Sequence, residues 1–195
     1  LIRNPKLAAE IISKVANSIR IPVTVKTRLS CSEKDPYDFI NFAKLIEEAG
    51  AQLLTVHGRT REQGFTGDAN WDAIARIKKA LKIPIVANGD IRNAEDALLC
   101  LKTTDAFGVM IGRGSMGAPW LIGQIDCALN GQKVFETPSP KERLQLMLEQ
   151  LQKLLDLNGE HGLFIAKKHL KWTCNGFRGA TDLKHSLVRA KTSLE

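Results

Sequence analysis

The sequence predicts an α/β fold, a parallel sheet covered by helices, followed by an all-helical tail. Three observations carry this reading. Four short apolar runs alternate with segments of helical spacing, and each run precedes its helix. That order, with strands apolar throughout, is the signature of parallel strands buried on both faces. After Pro138-Ser139-Pro140 the strand-like runs stop and only helical periodicity remains.

The elements follow in order. Pro5 opens a helical pattern through Leu7, Ala8, Ile11, Ile12 and Val15, with proline where a first turn tolerates it. Ile21 to Thr27 reads as the first strand, and a helix is expected from about Pro36 to Ala49, closed by Gly50. Leu53 to Val56 is the second strand and Trp71 to Leu81 its helix. Ile83 to Ala87 and Ala94 to Leu101 form the third unit, Phe107 to Ile111 and Trp120 to Leu129 the fourth. Beyond the prolines, Leu144, Met147, Leu148, Leu151, Leu154 and Leu155 mark an amphipathic helix. Two more helices are expected over 160–175 and 180–194, separated by the turn from Gly176 to Gly179.

Composition narrows the class. The chain has 195 residues, 44% of them hydrophobic and 25% charged, within the range of globular proteins. No apolar run reaches the roughly 18 residues of a membrane span, and no signal-peptide pattern opens the chain. Cys31, Cys100, Cys127 and Cys174 lie far apart, without metal-ligand spacing, so reduced thiols in a cytoplasmic protein are expected and no metal. The formal net charge is +7, and residues 161–195 hold seven Lys and Arg against two acidic residues. A polyanion partner suits that concentration, as does a solvated helix face.

Ligands of α/β folds bind at the carboxyl ends of the strands. The unusual residues of this sequence fall there: Lys26 and Arg28, then His57-Gly58-Arg59-Thr60, Asn88-Gly89-Asp90, and Gly112-Arg113-Gly114. Glycine turns admit backbone N–H groups close to an anion, so Gly89, Gly112 and Arg113 can form a phosphate cradle. They are equally readable as tight-turn residues. Lys26 can offset negative charge on a ligand or lie near an exposed strand end. His57 can donate to a cofactor, move a proton or be structural. Asp90 reads as a helix N-cap before a catalytic acid.

The segments Val23 to Arg28, Leu54 to Arg61, Ile85 to Ile91 and Val109 to Gly114 resemble tRNA-dihydrouridine synthases. Trp71 in Gly67-Asp68-Ala69-Asn70-Trp71 and the Pro119-Trp120 pair fit the same pattern. Lys167-Lys168-His169-Leu170-Lys171-Trp172 resembles the helical domain of the bacterial branch. The resemblance implies the C-terminal half of an FMN-binding (β/α)8 TIM barrel over residues 1–135 and a helical tRNA-binding domain over 136–195. It implies reduction of uridine to 5,6-dihydrouridine in tRNA, with NADPH reducing the flavin and the target base flipped out of its stack. By the same resemblance Lys26, His57, Asn88, Gly89, Asp90, Gly112 and Arg113 would hold FMN. Arg28, Arg59, Lys168 and His169 would face the RNA.

The resemblance also places the catalytic cysteine in the first half of the barrel, upstream of this chain, so no catalytic residue is expected here and the chain is expected to be inactive alone. Cys31 lies in a different loop and is not assigned that role. Half a barrel would leave two sheet edges open to pairing with another chain. Phe107, Ala118, Lys167 and Thr173 depart from the family's usual residues. The alternative readings are another FMN- or phosphate-binding TIM-barrel enzyme, and a decayed or non-catalytic RNA-binding fragment.

Overall fold

The computed structural model describes residues 1–32, 34, 38–176 and 178–193. It divides into two compact units, Leu1–Gly112 and Arg113–Glu195. The first is an α/β block whose elements alternate: α1 (Pro5–Ser18), β1 (Thr24–Arg28), α2 (Phe39–Glu48), β2 (Leu53–His57), α3 (Trp71–Ala80), β3 (Ile85–Asn88), α4 (Ala94–Thr104) and β4 (Gly108–Met110). The four strands form one parallel sheet in sequence order, β1-β2-β3-β4. Sequential order with a helix after each strand is the product of repeated β-then-α crossovers.

Burial follows position in the sheet. The inner strands carry the core: Leu54, Val56, Ile85 and Ala87 are all 0% exposed. Residues of β1 and β4 are only partly covered, as expected of strands with one neighbour. Phe42, Ala43 and Ile46 of α2, Ile74 and Ile77 of α3, and Ala97 and Cys100 of α4 complete the apolar interior. Glu47 adds a polar clasp, its Oε1 accepting from the backbone N–H of Lys82 (2.7 Å) and Ile83 (2.8 Å). These two donors would otherwise go unpaired in the turn leading to β3.

Element ends differ from the sequence reading where local chemistry intervenes. β1 starts at Thr24 rather than Ile21, because Pro22 has no N–H to give the ladder and Ile21 is 72% exposed. β4 shortens to three residues, with Phe107 75% exposed, although the Phe107 N–H still donates to Ile85 O at 2.8 Å. The expected start of the second helix at Pro36 lies outside the described residues; α2 begins after Asp38, whose side chain accepts from Ile40 N. Gly50 follows that helix at φ +101°, a conformation in which a Cβ is strained. The expected cap role of Asp90 is a correction: Asn93 caps α4, accepting from Asp96 N at 2.7 Å.

The second unit carries a 3-10 turn (Arg113–Ser115) and the helices α5 (Trp120–Leu129), α6 (Pro140–Asn158), α7 (His161–Thr173) and α8 (Ala180–Arg189). A capping box starts α6. Ser139 accepts from Glu142 N, and the Glu142 carboxylate accepts from Ser139 N at 2.8 Å. Met147, Ala166, Leu170 and Cys174 form the core of this unit, backed by Leu151, Leu154, Leu183 and Leu187. The α6–α7 crossing is close enough to require Gly162, where a Cβ would stand 2.3 Å from Leu154 O. Lys167 Nζ donates to the carbonyls of Val188 and Ala190, tying the last turn of α8 to α7.

Candidate cofactor and substrate site

Strand register gathers the polar residues. Arg28 pairs with His57, His57 with Asn88, and Asn88 with Met110, so one row crosses the carboxyl ends of all four strands. Side chains in register on parallel strands point to the same face, and Lys26 shares the face of Arg28 two residues on. Sequence order alone separates Lys26 from Asn88 by 62 positions, yet Lys26 Nζ donates to Asn88 Oδ1 at 3.1 Å, reaching past β2. Asn88 Nδ2 in turn donates to Met110 O at 2.8 Å. The amide of Asn88 is thereby fixed between a cation and a carbonyl, with its oxygen toward the lysine.

His57 is 7% exposed. Burial first, then the positive charges of Arg28, Lys26 and Arg59, hold its ring pKa down to about 4, against a smaller opposing pull from Asp90. The imidazole is therefore neutral at physiological pH and offers one N–H and one acceptor nitrogen. The ammonium of Lys26 is also held below its ordinary range, by partial burial and then by Arg28.

Two residues past the registered pair His57 and Asn88, in the turns that follow β2 and β3, stand Arg59 and Asp90. They form an ion pair, Arg59 Nη2 lying 2.7 Å from Asp90 Oδ2 and 2.9 Å from Oδ1. Arg59 is 1% exposed; its Nε donates to Thr66 O and its Nη2 also to Gly67 O, while Nη1 is buried without a partner among the described residues. Asp90 also accepts from Ala69 N at 2.7 Å and from Arg92 at 3.4 Å. These donors outweigh the effect of burial and keep its carboxyl below the usual range. Arg59 thus faces inward and staples the loop after β2 to the turn after β3.

The turn itself is unusual. Gly89 has φ +120° and Asp90 φ +58°, and a Cβ on Gly89 would lie 2.7 Å from Ala69 Cβ and 3.0 Å from His57 Cδ2. Trp71 Nε1 donates to Gly89 O at 3.1 Å. Holding that carbonyl aims the N–H of Asp90, in the same peptide plane, to the opposite side. The N–H groups of Gly89 and Asp90 make no hydrogen bond among the described residues, which leaves two adjacent amide donors. Successive amides in such a turn make an anion-binding concavity.

The other expected residues lie as follows. Arg28 is half-buried and donates from Nη1 to Thr60 O (2.7 Å) and Gly64 O (2.9 Å). Gly112 is exposed and ends the first unit, two residues past Met110; a Cβ there would meet nothing within 4 Å. Arg113, also exposed, opens the 3-10 turn of the second unit. Lys168 and His169 are exposed on α7 and flank Trp172, with Lys168 Nζ 5.1 Å from the ring center and the two rings edge-on at 5.5 Å. Among the cysteines, Cys100 and Cys174 are buried, with burial pushing both thiols up, Cys100 to about 11. Among the described residues, no group of His, Cys, Asp and Glu is placed to hold a metal ion. No helix among them is long and apolar enough to cross a membrane.

Fold and geometry together define an α/β protein with a cluster of cationic and amide groups at the carboxyl ends of a parallel sheet, the end at which ligands of such folds bind. The family model for dihydrouridine synthase (Dus) matches residues 1–195, and the chain belongs to that family. It is 43% identical over its whole length to "Probable tRNA-dihydrouridine synthase 1" of Synechocystis sp., covering 55% of that protein. It is 40% identical to "Probable tRNA-dihydrouridine synthase" of Rickettsia bellii, covering 61%. To "tRNA-dihydrouridine synthase B" of Pasteurella multocida it is 39% identical over 96% of its length, covering 60% of that protein. The chain therefore spans a little over half the length of these relatives.

Proposed function

We propose that this chain supplies the flavin-holding face of an enzyme that reduces uridine to 5,6-dihydrouridine in tRNA, with FMN as cofactor and NADPH as reductant. The observation that carries the reading is the convergence of Lys26, His57 and Asn88 on one face of the sheet, beside the Gly89-Asp90 turn, in a chain of this family. The donor set suits the group. FMN is an anion with carbonyl acceptors on its ring, and the site offers an ammonium, a neutral imidazole and two unpaired amides, while its one carboxylate is already matched by Arg59. Bound FMN would supply the hydride that adds across the uracil C5=C6 bond.

The residues of this chain bind and orient. Lys26, steadied by Asn88, places positive charge where a reduced flavin ring is negative. Neutral His57 donates one hydrogen bond without adding a second charge beside Lys26. The amides of Gly89 and Asp90 suit the ribityl-phosphate end, and Gly112 and Arg113 are proposed for the same end. Arg28, Lys168 and His169 are proposed to face the RNA, and Arg59 to act through the loop it holds. We propose residues 1–135 as the C-terminal half of a TIM barrel and 136–195 as a helical tRNA-binding domain, in a cytoplasmic protein. None of the four cysteines is proposed as the proton donor.

Titration of FMN with the chain, followed by flavin fluorescence, tests the reading. Flavin emission is expected to change saturably, with Lys26→Met weakening the binding and Asn88→Ala weakening it less. A folded chain that leaves FMN emission unchanged refutes it. Dihydrouridine formation in unmodified tRNA with NADPH then tests the activity.

A further inference from the structure

We propose that Trp71 is a positioning residue for a phosphate. Its indole locks the Gly89-Asp90 peptide so that the turn after β3 presents donors to an anion, and the chain thereby prefers FMN to riboflavin, the same molecule without its phosphate. The inference rests on the flavin reading above for the source of the phosphate, and it concerns a residue that reading does not use.

Local sequence places this indole. Asn70 caps α3, accepting from Ala73 N at 2.8 Å, which makes Trp71 the first residue of the helix. From there Nε1 reaches the turn after β3 and donates to Gly89 O at 3.1 Å. A partly buried indole usually finds a partner for its N–H; the company of this bond sets it apart. Ala69 N–H donates to Asp90 Oδ2 at 2.7 Å, and Asn70 N–H donates to Gly58 O at 2.7 Å. Gly58 N–H donates in turn to Asn88 O at 3.0 Å. The segment from Ala69 to Trp71 therefore clasps the turn directly, and the carbonyls of Asn88 and Gly89 are both occupied.

Those two carbonyls share their peptide planes with the N–H groups of Gly89 and Asp90. In a trans peptide the N–H points away from the C=O, so pinning both carbonyls aims both donors. Neither N–H has a partner among the described residues, and left-handed φ at Gly89 (+120°) and Asp90 (+58°) curves the backbone around them. The two anchors differ in kind. Backbone holds Asn88 O, whereas a single side chain holds Gly89 O. Without the indole N–H, the peptide after Gly89 is free to turn, because glycine tolerates either sign of φ. A turned peptide would present a carbonyl oxygen to the anion in place of a donor. The loss should fall on charge: a phosphate accepts several charge-assisted bonds, a ribityl hydroxyl only neutral ones.

The test compares the full chain with its Trp71→Phe variant, which keeps an aromatic ring and removes the one donor. Inorganic phosphate is titrated while the amide resonances of Gly89 and Asp90 are followed by NMR, and FMN and riboflavin are titrated by flavin fluorescence at the same fixed salt. In wild type both amides should shift saturably with phosphate, and FMN should bind more tightly than riboflavin. Trp71→Phe is expected to weaken phosphate and FMN about fivefold, the loss of one hydrogen bond, and riboflavin less than about twofold. Circular dichroism confirms that the variant is folded; if it is not, the wild-type titrations still decide, because amides that ignore phosphate overturn the proposal. Equal losses for FMN and riboflavin, or equal phosphate binding by variant and wild type, overturn it as well and leave Trp71 a packing residue. Phosphate binding that depends on Trp71, in a chain that binds neither flavin, sinks only the flavin reading.

Discussion

Replacing Asp90 by Asn removes one charge from the Arg59–Asp90 pair while keeping the size and left-handed tolerance of the residue. At 2.7 Å and an effective dielectric near 20, the attraction is about 6 kcal/mol, set against a desolvation cost of several kcal/mol for a guanidinium that is 1% exposed. The pair is thus close to neutral as a whole, but Asp90→Asn leaves the buried cation without its counter-charge. The expected loss is about 3 kcal/mol, the low end of the range for breaking a buried pair, because the amide oxygen still accepts one hydrogen bond. In an Arg59→Met background the same change should cost about 1 kcal/mol, giving a coupling near 2 kcal/mol. Urea unfolding at neutral pH measures this, with Trp120 and Trp172 replaced by Phe so that Trp71 reports the first unit alone. A coupling below about 0.5 kcal/mol with unchanged slope refutes the argument that this pair holds the loop.

Other consequences are open to measurement. The unfolded chain takes up a proton on His57 below about 6.5 and the folded one only near 4, so stability should fall by about 3 kcal/mol as pH drops through that window. His57→Gln should remove that share of the slope, and identical pH dependence in both proteins would contradict the assignment. Gly162→Ala should lower stability by about 3 kcal/mol, since its Cβ would collide with Leu154 O; an unchanged melting temperature would mean the α6–α7 crossing is looser than described. Thiol labelling should modify Cys31 and Cys127 in the folded chain, and Cys100 and Cys174 only on unfolding. Four rapidly reacting thiols would rule that out.

The sequence by itself determined the order and type of the elements. Apolar runs and helical spacing are local properties, and they place four strands and the helices between them to within a few residues. Element ends moved where a single residue overrode the pattern, as Pro22 did at the start of β1. The candidate residues were legible as a set, because glycine and charge at the ends of apolar strands stand out against a packed interior. What those residues do to one another was decided by tertiary structure. Register brought Lys26 to Asn88 across an intervening strand, and the turns beyond β2 and β3 paired Asp90 with Arg59 rather than with the start of α4. Lys167 looked like part of a basic surface and instead caps α8. A charge in a sequence carries no record of its partner: periodicity fixes which way a side chain points, and only the folded chain fixes what it meets.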